Sequence, residues 1–246
     1  MIMRIPRLYL PNPLVPGATV ALSTDAAHHV AHVLRLPVGA TVCLFNGQGG
    51  EYQAILHSIT KRQVYAQVLK YNPREAESPL QVTLAQGISR GERMDYTLQK
   101  AVELGITQIV PLFSERCEVR LQGERLDKRV QHWQGIVISA CEQCGRNHIP
   151  PVLAPVSLQQ WLPTAGAGLR LVLDPCASHS LAQHTRPDDG NITLLIGPEG
   201  GLSDTEISQA QQAGFTSIRS GPRILRTETA GLAMLAALQT RWGDLG

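Results

Sequence analysis

The stretch Leu194-Leu195-Ile196-Gly197-Pro198-Glu199-Gly200-Gly201-Leu202-Ser203 constrains this chain more than any other. A short apolar run ends abruptly in glycines and then meets a helix-start signal. Leu194 to Ile196 read as a buried strand, and Ser203 followed three residues later by Glu206 is a capping-box signature for a helix beginning near Asp204. Glycines at the carboxyl end of a strand permit positive φ and close approach of the backbone to a bound molecule. Open α/β sheets hold their ligands in such crevices.

A second segment has the same grammar and more charge. Ser220-Gly221-Pro222-Arg223-Ile224-Leu225-Arg226-Thr227-Glu228-Thr229-Ala230 follows a short strand at Ser217 to Arg219 and leads into an apolar helix, Gly231 to Trp242. One loop thus offers guanidinium donors, hydroxyls and a carboxylate together. The pair IGPEGGLS and GPRILRTETA, in this order, resembles the SPOUT superfamily of RNA methyltransferases, and more narrowly the ribosomal RNA small subunit methyltransferase E family. The resemblance extends to Ser89-Arg90-Gly91-Glu92-Arg93-Met94, to Gln99-Lys100 with Glu103-Leu104-Gly105, to Pro111-Leu112-Phe113-Ser114-Glu115-Arg116-Cys117 and to Ala140-Cys141-Glu142-Gln143-Cys144-Gly145-Arg146-Asn147. It spans nearly the whole chain.

Two domains are expected. The first seventy residues hold β-prone runs at Thr41 to Phe45, Glu51 to Ile59 and Gln63 to Leu69, a turn or two of helix within Asp25 to Leu34, and punctuating prolines. They read as a small barrel. Tyr71 to Pro79 is polar and proline-bounded, the best linker, which divides the chain into 1–72 and 73–246. Beyond it strands and helices alternate: Val82 to Gly87, Met94 to Leu104, Ile106 to Leu112, Asp127 to Glu142, Leu169 to Leu173, Ile192 to Ile196, Thr205 to Ala213 and the terminal helix. That alternation is the mark of an α/β domain with a parallel sheet. Periodicity alone yields an ordinary doubly wound sheet. The resemblance implies a deep trefoil knot in the second domain, a PUA-like RNA-binding β-barrel in the first, and a homodimer whose active sites are completed across the interface.

Charge divides along the same boundary. Residues 1–72 carry six Lys/Arg against two acids, a net +4, whereas the remainder carries sixteen basic and eighteen acidic residues, a net −2. This suits an amino-terminal module that meets phosphates and a second that does chemistry, although a modest basic excess is also common on solvated surfaces. No run approaches the ~18 apolar residues that span a bilayer, and MIMRIPRLYLPNP lacks the apolar centre of a signal peptide, so no membrane partner and a cytoplasmic location are expected. Five cysteines, an odd number, do not make a secreted disulfide framework.

The resemblance implies S-adenosylmethionine as cofactor and N3 of a uridine near the decoding centre of 16S rRNA as methyl acceptor, in the assembled small subunit. Leu173, Ile196, Gly197, Glu199, Gly200 and Gly201 are then expected on one wall of the cofactor site, and Ser220, Ile224, Leu225, Thr229 and Ala230 on the other. Uracil N3 is a weak nucleophile until it loses its proton, and charge then spreads onto the flanking carbonyl oxygens. Arg226 is the candidate to stabilise that charge or to grip an RNA phosphate, and Glu228, Glu142 and Glu199 are candidate proton acceptors. Glu228 has a second reading, complementing the dipole at the start of the terminal helix. Arg4, Arg7, Arg35, Arg90, Arg93, Arg146 and Asn147 are the candidate RNA contacts.

Cys141-Glu142-Gln143-Cys144, with His148 close behind, admits a metal or a redox reading. No second CxxC supplies a fourth ligand, and the resemblance makes the segment substrate-facing, so no metal is expected. His28, His29 and His32 have no clear metal spacing. A nicotinamide enzyme would place GxGxxG after the first strand and a P-loop enzyme would carry GxxxxGK[ST]; the chain has neither. The alternative from another class is a non-catalytic RNA-binding or ribosome-assembly factor on a methyltransferase-like fold.

Overall fold

The structure is a computed structural model that describes residues 5–60 and 63–246; Arg4 lies outside them. The chain divides between Glu77 and Ser78 into two compact units, and the segment Cys141–Ile149 is counted with the first. The sequence-based boundary lies five residues earlier, and nothing in the pattern of 141–149 separates it from its flanks.

The first unit carries β1 (Arg7–Tyr9), β2 (Thr19–Ala21), β3 (Thr41–Phe45), β4 (Glu51–Ile59) and β5 (Val64–Asn72) in one sheet of order β1-β3-β4-β5-β2. Only the β1–β3 pair is parallel. Residues at alternate positions, Val42 and Leu44, Ala54 and Leu56, Val64, Ala66 and Val68, turn to one face and form its core with Leu8, Leu22 and Val30. Between β2 and β3, α1 (Thr24–His28) starts at Ser23, whose hydroxyl accepts from Ala26 N, and runs on as a π-turn over His29–Val33. β1 and β2 escape the sequence reading because three residues cannot display a period.

The second unit is an α/β domain. Its strands are β6 (Gln81–Gly87), β7 (Gln108–Phe113), β8 (Val156–Ser157), β9 (Leu169–Leu173), β10 (Asn191–Ile196) and β11 (Thr216–Ile218), in the order β11-β9-β10-β6-β7-β8, and every pair is parallel. Helices α2 (Glu92–Glu103), α3 (Glu124–Cys144), α4 (Leu158–Trp161), α5 (Asp204–Gln212) and α6 (Thr227–Trp242) connect or follow them. The central strand β10 is buried from Ile192 to Ile196, which explains why it is apolar there except at Thr193. Ala85, Val172 and Leu195 pack on one face with Leu158, Trp161, Ala210 and Phe215.

On the other face, α6 lies over β10 and against α2. It begins at Thr227, four residues before the expected start, so Glu228, Thr229 and Ala230 belong to its first turn rather than to a loop. The apolar pattern alone begins the helix at Gly231, and only the second reading of Glu228 puts that residue in the first turn; Arg226, the N-cap residue, makes no side-chain capping bond that would mark the start. The start of α5, by contrast, is as written: Ser203 Oγ accepts from Glu206 N and Glu206 Oε2 accepts from Ser203 N, at 3.2 and 2.9 Å. Ser203→Ala is expected to lower unfolding stability by about 1 kcal/mol, measured as a lower urea midpoint with an unchanged slope.

Candidate active site

A cleft of about 700 Å³ opens in the second unit at the carboxyl ends of β9, β10 and β11, where parallel sheets present their ligand crevice. Leu173 and Ile196 close two strands at its floor, joined by Ile218 from the third. Gly197, Glu199, Gly200 and Gly201 form one wall; Ser220, Ile224 and Leu225 form the other, and Ala230 lines it from the first turn of α6. The two glycine segments expected to share a ligand therefore face one space. Thr229 does not line it: two residues along a helix rotate about 200°, which carries Thr229 to the exposed side and leaves Thr227 inside.

Contacts from four directions hold the first wall. Thr227 Oγ1 donates to the Gly197 carbonyl at 2.6 Å. Arg116 donates to the carbonyls of Gly200 and Leu202 at 3.1 and 3.4 Å. Glu199 Oε1 accepts from Arg90 N and from the Arg93 guanidinium, both at 2.9 Å. Glu206 Oε1 accepts from Glu115 N at 2.8 Å, which ties the capping box to the segment after β7. The glycines serve the turn itself: a Cβ on Gly197 would fall 2.8 Å from the Gly201 carbonyl carbon and from Leu202 N, and Gly201 sits at φ +70°.

The carboxylates separate by environment. Burial works to raise the pKa of Glu199, but bonds from the backbone N–H groups of Arg90 and Glu199 and from the Arg93 guanidinium outweigh it and hold it below the usual value. A carboxylate so engaged is a poor proton acceptor. Glu228 also lines the cleft, and its Oε2 is buried without a hydrogen-bond partner. Glu142 lines no part of this cleft. It belongs to the first unit, where it accepts from Tyr9 N at 3.0 Å, and burial pushes its pKa up.

The basic candidates divide likewise. Arg226 is exposed and lines the cleft, as does Arg93. Arg90 is exposed and pairs with exposed Glu118 at 2.5 Å, a weak tether in water. Arg35 is exposed and carries φ 51°, a left-handed conformation at the end of the π-turn that glycine usually occupies. Three candidates are instead framework residues. Arg7 pairs with Glu51 and donates to Asn147 Oδ1 at 2.7 Å; Arg146, its side chain only 5% exposed, pairs with Glu77 at 2.6 Å; and Asn147 donates to the Arg74 carbonyl at 2.6 Å. Their polar groups are turned inward to the first unit, which withdraws them from an RNA phosphate.

Cys141 and Cys144 of the CxxC are not joined in a disulfide. Cys141 Sγ donates to the His148 carbonyl at 3.5 Å, and burial pushes this thiol up to about 12, as it pushes Cys43 up to about 11. Sequence reasoning gave no role to Thr227, Arg116 or Gln86. Gln86 carried a weak signal, a polar side chain directly after apolar Leu84 and Ala85, in a strand where Gln81 and Thr83 are polar too.

A family model of the RNA methyltransferase domain matches residues 76–239, and one of the RNA methyltransferase PUA domain matches residues 22–69. The chain belongs to the RNA methyltransferases. A ribosomal RNA small subunit methyltransferase E from Buchnera aphidicola subsp. Schizaphis graminum is 38% identical over 244 residues, 98% of each chain. The protein of that name from Neisseria gonorrhoeae, solved bound to S-adenosyl methionine, is 44% identical with TM-score 0.93 over 99% of this chain and 100% of that one. A protein from Legionella pneumophila, solved in complex with bound cofactor SAM, is 42% identical with TM-score 0.96, again over 99% and 100%. Within the RNA methyltransferases, this chain is a member of the ribosomal RNA small subunit methyltransferase E family.

Exposure and thiol chemistry together order the cysteines. Iodoacetamide at pH 8 is expected to modify exposed Cys176, which lines the cleft, well before Cys43 or Cys141, as read by peptide mass spectrometry.

Proposed function

We propose that this protein binds S-adenosylmethionine in the cleft of its second unit and methylates N3 of a specific uridine near the decoding centre of 16S rRNA, acting on the assembled small subunit. One observation carries the proposal: two glycine segments at adjacent strand ends face a single cleft of about 700 Å³, a volume suited to a ligand of this size. Its residues suit the cofactor. Leu173, Ile196 and Leu225 give apolar surface for an adenine ring, and the backbone between Gly197 and Gly201 gives donors and acceptors for its edge. S-adenosylmethionine, when bound, supplies a methyl group made electrophilic by its sulfonium sulfur.

The protein's own residues position and polarise. Arg226, exposed at the head of α6 and lining the cleft, is the proposed cation that stabilises the negative charge spreading over the uracil carbonyls as N3 loses its proton. Glu228, two residues on and free of a protein partner at Oε2, is the proposed proton acceptor. Glu199 is assigned to hold the cofactor wall, because its carboxylate is committed to Arg90 and Arg93. Arg35 and Arg90, both exposed, are the proposed RNA contacts that remain outside the cleft.

The same reading assigns RNA binding to the first unit, as a PUA-like module whose sheet closes into a barrel. It assigns dimerisation and a deep trefoil knot to the second. Support for the knot lies in the connectivity: β11 adds at the sheet edge beyond β9, yet the chain then returns to the centre, where Thr227 bonds to Gly197 and α6 packs on β10. A cytoplasmic site of action follows from the ribosomal substrate.

Calorimetry is expected to find one saturable S-adenosylmethionine site per chain; its absence would favour the assembly-factor reading. Arg226→Ala is expected to retain cofactor affinity while methyl transfer falls about 100-fold or more in single turnover. Mass spectrometry of 16S rRNA from a strain lacking the protein should show one uridine without its N3 methyl, and an unchanged modification pattern would defeat the assignment.

A further inference from the structure

We propose that Gln86 and Thr227 are positioning residues: a buried two-step hydrogen-bond relay that fixes the Gly197 carbonyl and thereby sets cofactor affinity rather than the rate of methyl transfer. The inference rests on the reading of the cleft as the S-adenosylmethionine site. Gln86 is the penultimate residue of β6, pairs in register with Ile196 of β10, and is fully buried. Its Nε2 donates to Thr227 Oγ1 at 2.9 Å and to the Gly87 carbonyl at 3.2 Å, and Thr227 Oγ1 donates in turn to the Gly197 carbonyl at 2.6 Å.

Proton counting fixes the direction of the relay. Thr227 has one hydroxyl hydrogen, and the carbonyl of Gly197 can only accept, so that hydrogen goes to Gly197. The hydroxyl is then an acceptor toward Gln86, which must turn its amide nitrogen to it. Reversing the amide would set its oxygen against two other acceptors. This orientation leaves Gln86 Oε1 buried with no hydrogen-bond partner. An apolar side chain of the same shape would avoid that cost while giving up the two bonds from Nε2, so the net gain in stability from Gln86 is small and does not by itself explain the residue.

The relay reaches the cleft where its two walls are tied by the Thr227–Gly197 bond. Gly197 is the first residue past β10 and begins one wall, while Thr227 immediately follows the segment that forms the other. A single carbonyl therefore registers the two walls against each other. Neither Gln86 nor the Thr227 hydroxyl need touch the reacting atoms for this, and loss of either should loosen the binding of the cofactor while leaving its reactive geometry intact once bound.

The test is calorimetric titration with S-adenosylmethionine of the full chain and of Thr227→Val, Thr227→Ser, Gln86→Met and the Val/Met double variant. Thr227→Val should weaken binding about tenfold, Gln86→Met about threefold, and Thr227→Ser should stay within about twofold of the parent. Because both residues act through one carbonyl, the double variant should bind no more weakly than Thr227→Val. Transfer at saturating cofactor should remain within about twofold, and Gln86→Met should melt within a few degrees of the parent, because the orphaned oxygen it removes offsets the loss of the two bonds that Nε2 donates. Unchanged affinity in both single variants, multiplicative losses in the double, or a melting loss that tracks the affinity loss in Gln86→Met would overturn the relay. If Thr227→Val does not fold, Gln86→Met decides alone. Absence of binding by the parent protein would instead sink the cleft reading on which the relay depends.

Discussion

Fixation of the Gly197–Ser203 turn is the constraint on which the site depends. A glycine-rich turn left to itself samples many conformations, and ordering it carries an entropic cost of roughly 1–2 kcal/mol for each residue fixed. Here the cost is met before any ligand arrives. Thr227 holds the first carbonyl, Arg116 holds two later ones, Glu199 is anchored to Arg90 and Arg93, and the Ser203–Glu206 box closes the turn onto α5. Each contact contributes about 1 kcal/mol by itself, and somewhat more where a charge is shielded from water. Together they turn a flexible loop into a preorganised wall, which is how binding energy is conserved for the ligand.

That wall has meaning only because of where the sheet puts it. Parallel pairing brings the carboxyl ends of β9, β10 and β11 to one edge, so three chain exits open on one cleft. Helix α6 supplies the remaining side, and its first turn delivers Arg226, Thr227 and Glu228 in succession: a cation at the mouth, a hydroxyl committed to the framework, and a carboxylate with one oxygen unpartnered. Adjacent residues on a helix point in different directions, which lets three consecutive side chains take three separate tasks.

Much of this was legible in the sequence, and the parts that were not share a physical cause. Long strands such as Glu51–Ile59, the five-residue strands Thr41–Phe45 and Leu169–Leu173, and the capping box at Ser203 carry local signals, and local rules recover them. The two glycine segments announced the cleft because backbone conformation is written in residue type. Tertiary hydrogen bonds are not. Thr227 and Gln86 lie 141 residues apart and no pattern joins them; Arg7, Arg146 and Asn147 read as exposed cations and amides because only the fold reveals that Glu51, Glu77 and Arg74 receive them. The start of α6 was misplaced for a related reason. Its cap is stabilised by a contact to Gly197 across the sheet rather than by a capping side chain.

The function of the cleft requires that the two glycine segments close jointly on one ligand. Hydrogen–deuterium exchange of the full chain with and without S-adenosylmethionine tests it directly. Protection of peptides covering 196–203 and 219–227 should appear together and saturate at the same cofactor concentration. Protection confined to one of them, or arising elsewhere in the chain, would contradict the account.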